Sequence, residues 1–106
     1  MKESLIQIQT TVLNEEEAKS IAQTMITEKL SACIQYYPIQ SVYTWKGQVE
    51  EANEFLVIIK ATKDKFEKIK DKLAEIHSYE LPQITSIKND DFLNEYGKWI
   101  NTEIEE

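Results

Sequence analysis

"SACIQYYPIQSVYTWKGQVEEANEFLVIIKAT", residues 31–62, is the stretch on which the fold turns. It is rich in β-branched and aromatic residues, which suit a pleated strand. It breaks once, at Lys46-Gly47, where a tight turn lets the chain return as a hairpin. In the returning arm, residues 55–59 (FLVII) are apolar without alternation, as in a strand covered on both faces. Each arm can run to more than twice the roughly five or six residues of an ordinary strand. One small core cannot cover that length. Tyr36, Tyr37, Tyr43 and Trp45 lie along it, and left bare they would invite aggregation. The hairpin therefore points to an oligomer built by strand pairing.

Upstream, "LIQIQTTV" alternates, with Ile6, Ile8 and Val12 on one face, and predicts a first strand. "NEEEAKSIAQTMITEKL" predicts a helix capped by Asn14, with Glu17 completing a capping box. Its buried stripe is Ala18, Ile21, Ala22, Met25, Ile26 and Leu30. Downstream, Thr62 is expected to cap a second helix with Phe66, Ile69, Leu73 and Ile76 inward. Pro82 is expected to open a fourth strand, "QITSIKN". Asn89 or Asp90 then caps a last helix carrying Phe92, Leu93, Tyr96, Trp99 and Ile100. The class is α+β: a ferredoxin-like βαββαβ sandwich with an extra C-terminal helix and a long hairpin between its second and third strands. Right-handed crossovers put the first and third strands at the sheet centre. With 106 residues, one domain over 1–106 is expected.

Charge narrows the function. The net charge is −7 and the chain has no arginine, so a phosphate backbone is repelled and nucleic acid is not an expected partner. The missing arginine also argues against an acyl-phosphate hydrolase, and two isolated glycines make no phosphate loop. A single cysteine, Cys33, offers neither an intrachain disulfide nor a Cys-x-x-Cys metal pair. No run approaches the roughly 18 apolar residues of a membrane span. The alternating start is unlike an apolar leader, and the cytoplasm is the expected compartment.

The polar candidates left are Cys33, Lys60, His77, Tyr79 and Glu80. Each has a plain structural reading: a packed thiol, a snorkelling lysine, a histidine favoured at a helix C-terminus, a loop-filling tyrosine and a solvated carboxylate. Taken together, Cys33, His77 and Glu80 form a ligand set suited to Cu(II) or Zn(II). One chain supplies too few ligands for a closed site, so water or another subunit would complete it. A Cys33–His77 nucleophile–base pair lacks an orienting third group and an oxyanion hole, so no enzyme is expected.

The run Leu30-Ser31-Ala32-Cys33, then Pro38, then Ser41-x-Tyr43-x-Trp45-x-Gly47, then Glu54 and Lys60, then His77-x-Tyr79-x-x-Pro82-x-Ile84, then Tyr96-x-x-Trp99-Ile100 resembles the CutA family of divalent-cation-tolerance proteins. The likeness holds in order and spacing over nearly the whole chain. It implies a ferredoxin-like subunit in a compact homotrimer, with hairpins pairing between subunits and Tyr43 and Trp45 at the interface. It further implies binding of divalent metal ions such as Cu(II) near subunit interfaces, no obligatory cofactor and no defined reaction. The architecture is also similar to trimeric signalling proteins of the PII type. On that alternative, clefts between subunits, with Lys60, Tyr79 and Gln83 as cleft residues, hold a small ligand or a protein partner. Three positions depart from the family pattern: Gln35 where Asn is usual, Ser78 where Pro is usual and Gln83 where Glu is usual. The last replaces an anionic oxygen donor by a neutral amide.

Overall fold

The computed structural model describes residues 4–104. Its elements are β1 (Leu5–Val12), α1 (Glu15–Thr27), β2 (Cys33–Trp45), β3 (Gln48–Thr62), α2 (Phe66–Ile76), β4 (Thr85–Lys88) and α3 (Asn94–Glu103). The strands form one antiparallel sheet in the order β2-β3-β1-β4. β1 and β3 are thus central, as the crossover rule requires.

α1 and α2 cover one sheet face. Alternation along β1 sends Ile6, Ile8 and Val12 to that face, where they meet Val57 and Ile59 of β3, Ile21 and Met25 of α1, and Ile69 and Leu73 of α2. The opposite face is covered only at one end, where Leu5 packs with Ile100 and Ile104 around α3. The two-sided apolarity of residues 55–59 is therefore met on one side only. Val57 and Ile59 are fully buried, while Leu56 and Ile58 are half-buried beneath an open face.

β2 and β3 pair without interruption from Cys33 opposite Lys60 to Trp45 opposite Gln48. Lys46 and Gly47 close the hairpin with φ of 50° and 80°, the positive pair of a type I′ turn. At about 3.3 Å per residue, these strands account for the 47 Å long axis of a molecule only 26 and 22 Å across. Val42 and Val49, on the helix-side face of the hairpin, lie beyond any helix and are 69% and 75% exposed.

Several boundaries differ from expectation for local reasons. α1 stops at Thr27 because Lys29 turns left-handed (φ 57°). Its N–H bonds Ile26 O and that of Leu30 bonds Met25 O, a Schellman ending. Leu30 thus reaches the core from beyond the helix, and Ile26 is exposed. Thr62 ends β3 and donates to Asp64 Oδ1; a 3-10 turn, Lys63–Lys65, separates it from α2, so it does not cap that helix. β4 has four residues, because β1 pairs with it only from Ile6 to Gln9; residues 82–84 are not strand. α3 begins after Leu93 with no side-chain cap, leaving Phe92 outside the helix.

Candidate ligand cleft

The site is built by the connection between α2 and β4. His77 ends α2 with its N–H on Leu73 O and its backbone extended (ψ 140°). Its side chain is completely buried. Nδ1 accepts the Tyr79 N–H at 3.1 Å, and Nε2 lies 3.0 Å from Thr11 O and 3.1 Å from Thr10 Oγ1. A carbonyl only accepts, so Nε2 carries the proton and donates to Thr11. Glu17, from the first turn of α1, holds the next residue. Its carboxylate accepts the Ser78 N–H at 3.0 Å and the Ser78 hydroxyl at 2.9 Å, and it also receives the Leu13 N–H. Asn14 returns the cap through its Oδ1 to the Glu17 N–H. Burial alone would raise the Glu17 pKa. The bonds from Leu13 and Ser78 outweigh that and hold it below its ordinary value.

Fastened to β1 and α1 at once, the chain rounds the end of β1 and emerges on the open face. There Ser78, Tyr79, Glu80, Leu81 and Gln83 face Thr11, Ser41, Tyr43, Trp45 and Glu54 across a cleft of about 540 Å³. The register places those five sheet residues on one side, opposite to the helices. Glu54 is 7% exposed, and its Oε2 accepts the Tyr79 hydroxyl at 2.6 Å. Burial, and then this bond, pushes the Tyr79 phenol well above its ordinary pKa. Among the described residues every fully buried side-chain polar atom has a partner. Glu54 lines the cleft, and Tyr79 supplies its one side-chain hydrogen bond among the described residues. The lining carries two carboxylates, Glu54 and Glu80, and no lysine.

Tyr79, Glu80 and Gln83, expected at a site, share this cleft with Tyr43 and Trp45. Gln83 also donates to Thr85 Oγ1 at 3.3 Å. Lys60 is elsewhere. It pairs in register with Cys33 and Gln7, and its Nζ donates to Tyr96 OH at 3.1 Å beside α3. Cys33, His77 and Glu80 are not brought together within one chain. Cys33 opens β2 on the exposed face at the Lys60 end, His77 is buried against the far half of β1, and Glu80 lies on the cleft. Among the described residues no group of three His, Cys, Asp or Glu is placed to hold a metal ion. Two side chains that shape this region escape sequence reasoning as site residues: Glu54, on the cleft, and Glu17, which holds Ser78. The signal for Glu54 is a single acid directly before an apolar strand core, since a buried carboxylate demands a partner.

Comparison with known proteins agrees with this architecture. The sequence model of the CutA1 divalent ion tolerance protein family matches residues 6–103. The divalent-cation tolerance protein CutA of Archaeoglobus fulgidus is 38% identical over 90 residues, 85% of this chain and 88% of its own. That of Thermotoga maritima is 32% identical over 100 residues, 94% of this chain and 99% of its own. A solved structure of the periplasmic divalent cation tolerance protein CutA from A. fulgidus matches with a TM-score of 0.94 at 36% identity, covering 95% of this chain and 99% of its own.

Proposed function

The chain belongs to the CutA1 divalent ion tolerance family, and from that premise we propose that it serves tolerance to divalent cations as a homotrimer that binds its ligand without transforming it. The uncovered hairpin carries this reading. Tyr37, Tyr43, Val42 and Val49 are exposed along it, and Ile87 is exposed on the open sheet face. Burying such surface against another copy is favourable by roughly 25 cal/mol per Å².

Binding is favoured over catalysis because, among the described residues, Cys33 and His77 do not form the nucleophile–base pair that the sequence allowed. Cys33 and His77 are apart, and both His77 nitrogens are committed to Tyr79 and β1. A cation such as Cu(II) would draw its donors from more than one copy, with the Cys33 thiol and the Glu80 carboxylate as the accessible candidates. A second reading rests on the cleft itself. Its volume of about 540 Å³ lies in the range of small-molecule pockets, about 300–1,000 Å³, and far exceeds a single ion. On this reading the trimer is a signalling module that holds a small ligand in the cleft.

Titration with Cu(II) against a competing chelator separates the two. Cys33→Ser and Glu80→Gln are each expected to weaken copper by about tenfold, or about 1.4 kcal/mol. Unchanged affinity in both variants, with the trimer intact, removes these residues as ligands and leaves the cleft reading alone.

A further inference from the structure

We propose that His77 is a proton-operated latch: one proton taken up by its ring releases residues 78–81 from β1 and α1. The latch consists of contacts within one chain. The His77 side chain is completely buried by its own chain, so another copy can cover the segment but cannot supply the ring's bonds. With Nε2 donating to Thr11 O at 3.0 Å and Nδ1 accepting the Tyr79 N–H at 3.1 Å, the folded chain requires a neutral ring. Both nitrogens are taken, so His77 is not a metal ligand here. A protonated ring donates at both nitrogens. Its new Nδ1–H would face the Tyr79 N–H, donor against donor, and that bond would be lost.

The surroundings decide what that proton does. β1 presents Thr10 and Thr11, which bring no charge, and the Tyr79 ring centroid lies 5.0 Å from that of the imidazole. Glu54 of β3 is reached only through the Tyr79 hydroxyl. In α2, Glu75 is exposed and pairs with Lys72. The end of α2 offers the charge no acceptor, because the ring bonds β1 and Tyr79 instead of helix carbonyls. The charge facing Nδ1 is Glu17 of α1, whose Oε2 stands 3.9 Å away, too far for a hydrogen bond. Glu17 is held below its ordinary pKa of 4.5, so it stays ionised where histidines titrate, between about pH 5 and 8. A buried imidazolium needs a charged partner. Glu17 can become that partner only by loosening Oε2 from the Ser78 N–H, which it holds at 3.0 Å. Two consecutive N–H groups, of Ser78 and Tyr79, fasten this segment to α1 and to the ring, and one proton undoes both. Tyr79 then loses its aim at Glu54, and Glu80 moves with it.

Heteronuclear NMR of the full chain in its native assembly, from about pH 8 to about pH 5, tests this. Ring nitrogen shifts read the His77 proton. Hydrogen-exchange protection, taken relative to the unstructured chain at each pH, reads the Ser78 and Tyr79 amides. Their protection is expected to fall about tenfold or more in step with ring protonation, while Ile8 and Ile59, buried at the sheet centre, stay protected. His77→Asn offers Tyr79 an amide oxygen that does not titrate, and should make its protection independent of pH over that range. Three results in the parent overturn the proposal: a ring that takes its proton with both amides unchanged, amides that open around a neutral ring, or no change in either. A His77→Asn variant that folds and still opens in acid overturns it too. Should that variant fail to fold, the parent's ring and amide titrations decide alone. Light scattering on the same samples separates the latch from the assembly. Protection lost only on dissociation, or together with the core amides, would make the event one of assembly or global unfolding and would also overturn it.

Discussion

Glu17 shows how one carboxylate can serve the fold and the site together. It closes the α1 cap through Leu13 and clamps Ser78 at the mouth of the cleft. Its folded pKa lies below the ordinary 4.5, burial's upward pull being outweighed by the hydrogen bonds it accepts. A depressed carboxylate pKa means the native state binds the proton less readily than the unfolded chain. The stabilisation is therefore present above pH 4.5 and is lost as pH falls through the lowered folded value. Glu17→Gln should cost about 1–2 kcal/mol at neutral pH. The gap to the parent should shrink in acid, where the parent loses the same charge. Urea melts from pH 7 down to pH 3 check this, and a gap independent of pH would mean that the charge contributes nothing. His77 behind it acts by position: with Nδ1 on the Tyr79 N–H, it aims the phenol at Glu54.

The element that organises the molecule is the β2–β3 hairpin, and its turn is open to a clean test. A Cβ added at Gly47 meets nothing within 4 Å, yet the residue has φ of 80°. Gly47→Ala should thus cost about 1–2 kcal/mol through backbone strain alone. Lys46→Gly, at φ 50°, should be neutral or slightly stabilising. Thermal melts of the two variants should move in opposite senses or leave Lys46→Gly unmoved; equal losses would argue against the positive-φ turn. This hairpin was also the most legible part of the sequence, because a period of two and a Lys-Gly break constrain strand, turn and register together. The helix ends were not, since Lys29 takes a left-handed conformation without being glycine and α3 starts at Leu93 with no polar cap. In the site, Tyr79, Glu80 and Gln83 were visible as polar residues of one loop. Lys60 was not separable from them in sequence, and only the register carries it to the Tyr96 end. The Glu54–Tyr79 bond, 25 residues apart, has no local signature at all.

At the scale of the whole molecule, the 47 Å axis and the apolar residues along it form one problem. A domain of 106 residues can bury only part of its chain in one core. Here the two helices cover one sheet face and α3 covers one end of the other. Val42 and Val49 lie on the side of the hairpin away from the cleft and are mostly exposed, so replacing them removes no packing within the chain. If hairpin contacts between copies hold a trimer, Val42→Lys with Val49→Lys places like charges in each interface and should dissociate it. Light scattering should then fall from about three times the 12.4 kDa chain mass to that mass. The melting temperature of the parent should rise with protein concentration, as linkage to association requires, and that of the variant should not. The cleft residues are untouched by these changes, so a dissociated variant also reveals whether the cleft needs a second copy to hold its ligand. A trimer that survives both lysines would move the interface to the open sheet face, where Ile87 is exposed and Leu56 and Ile58 are half-buried.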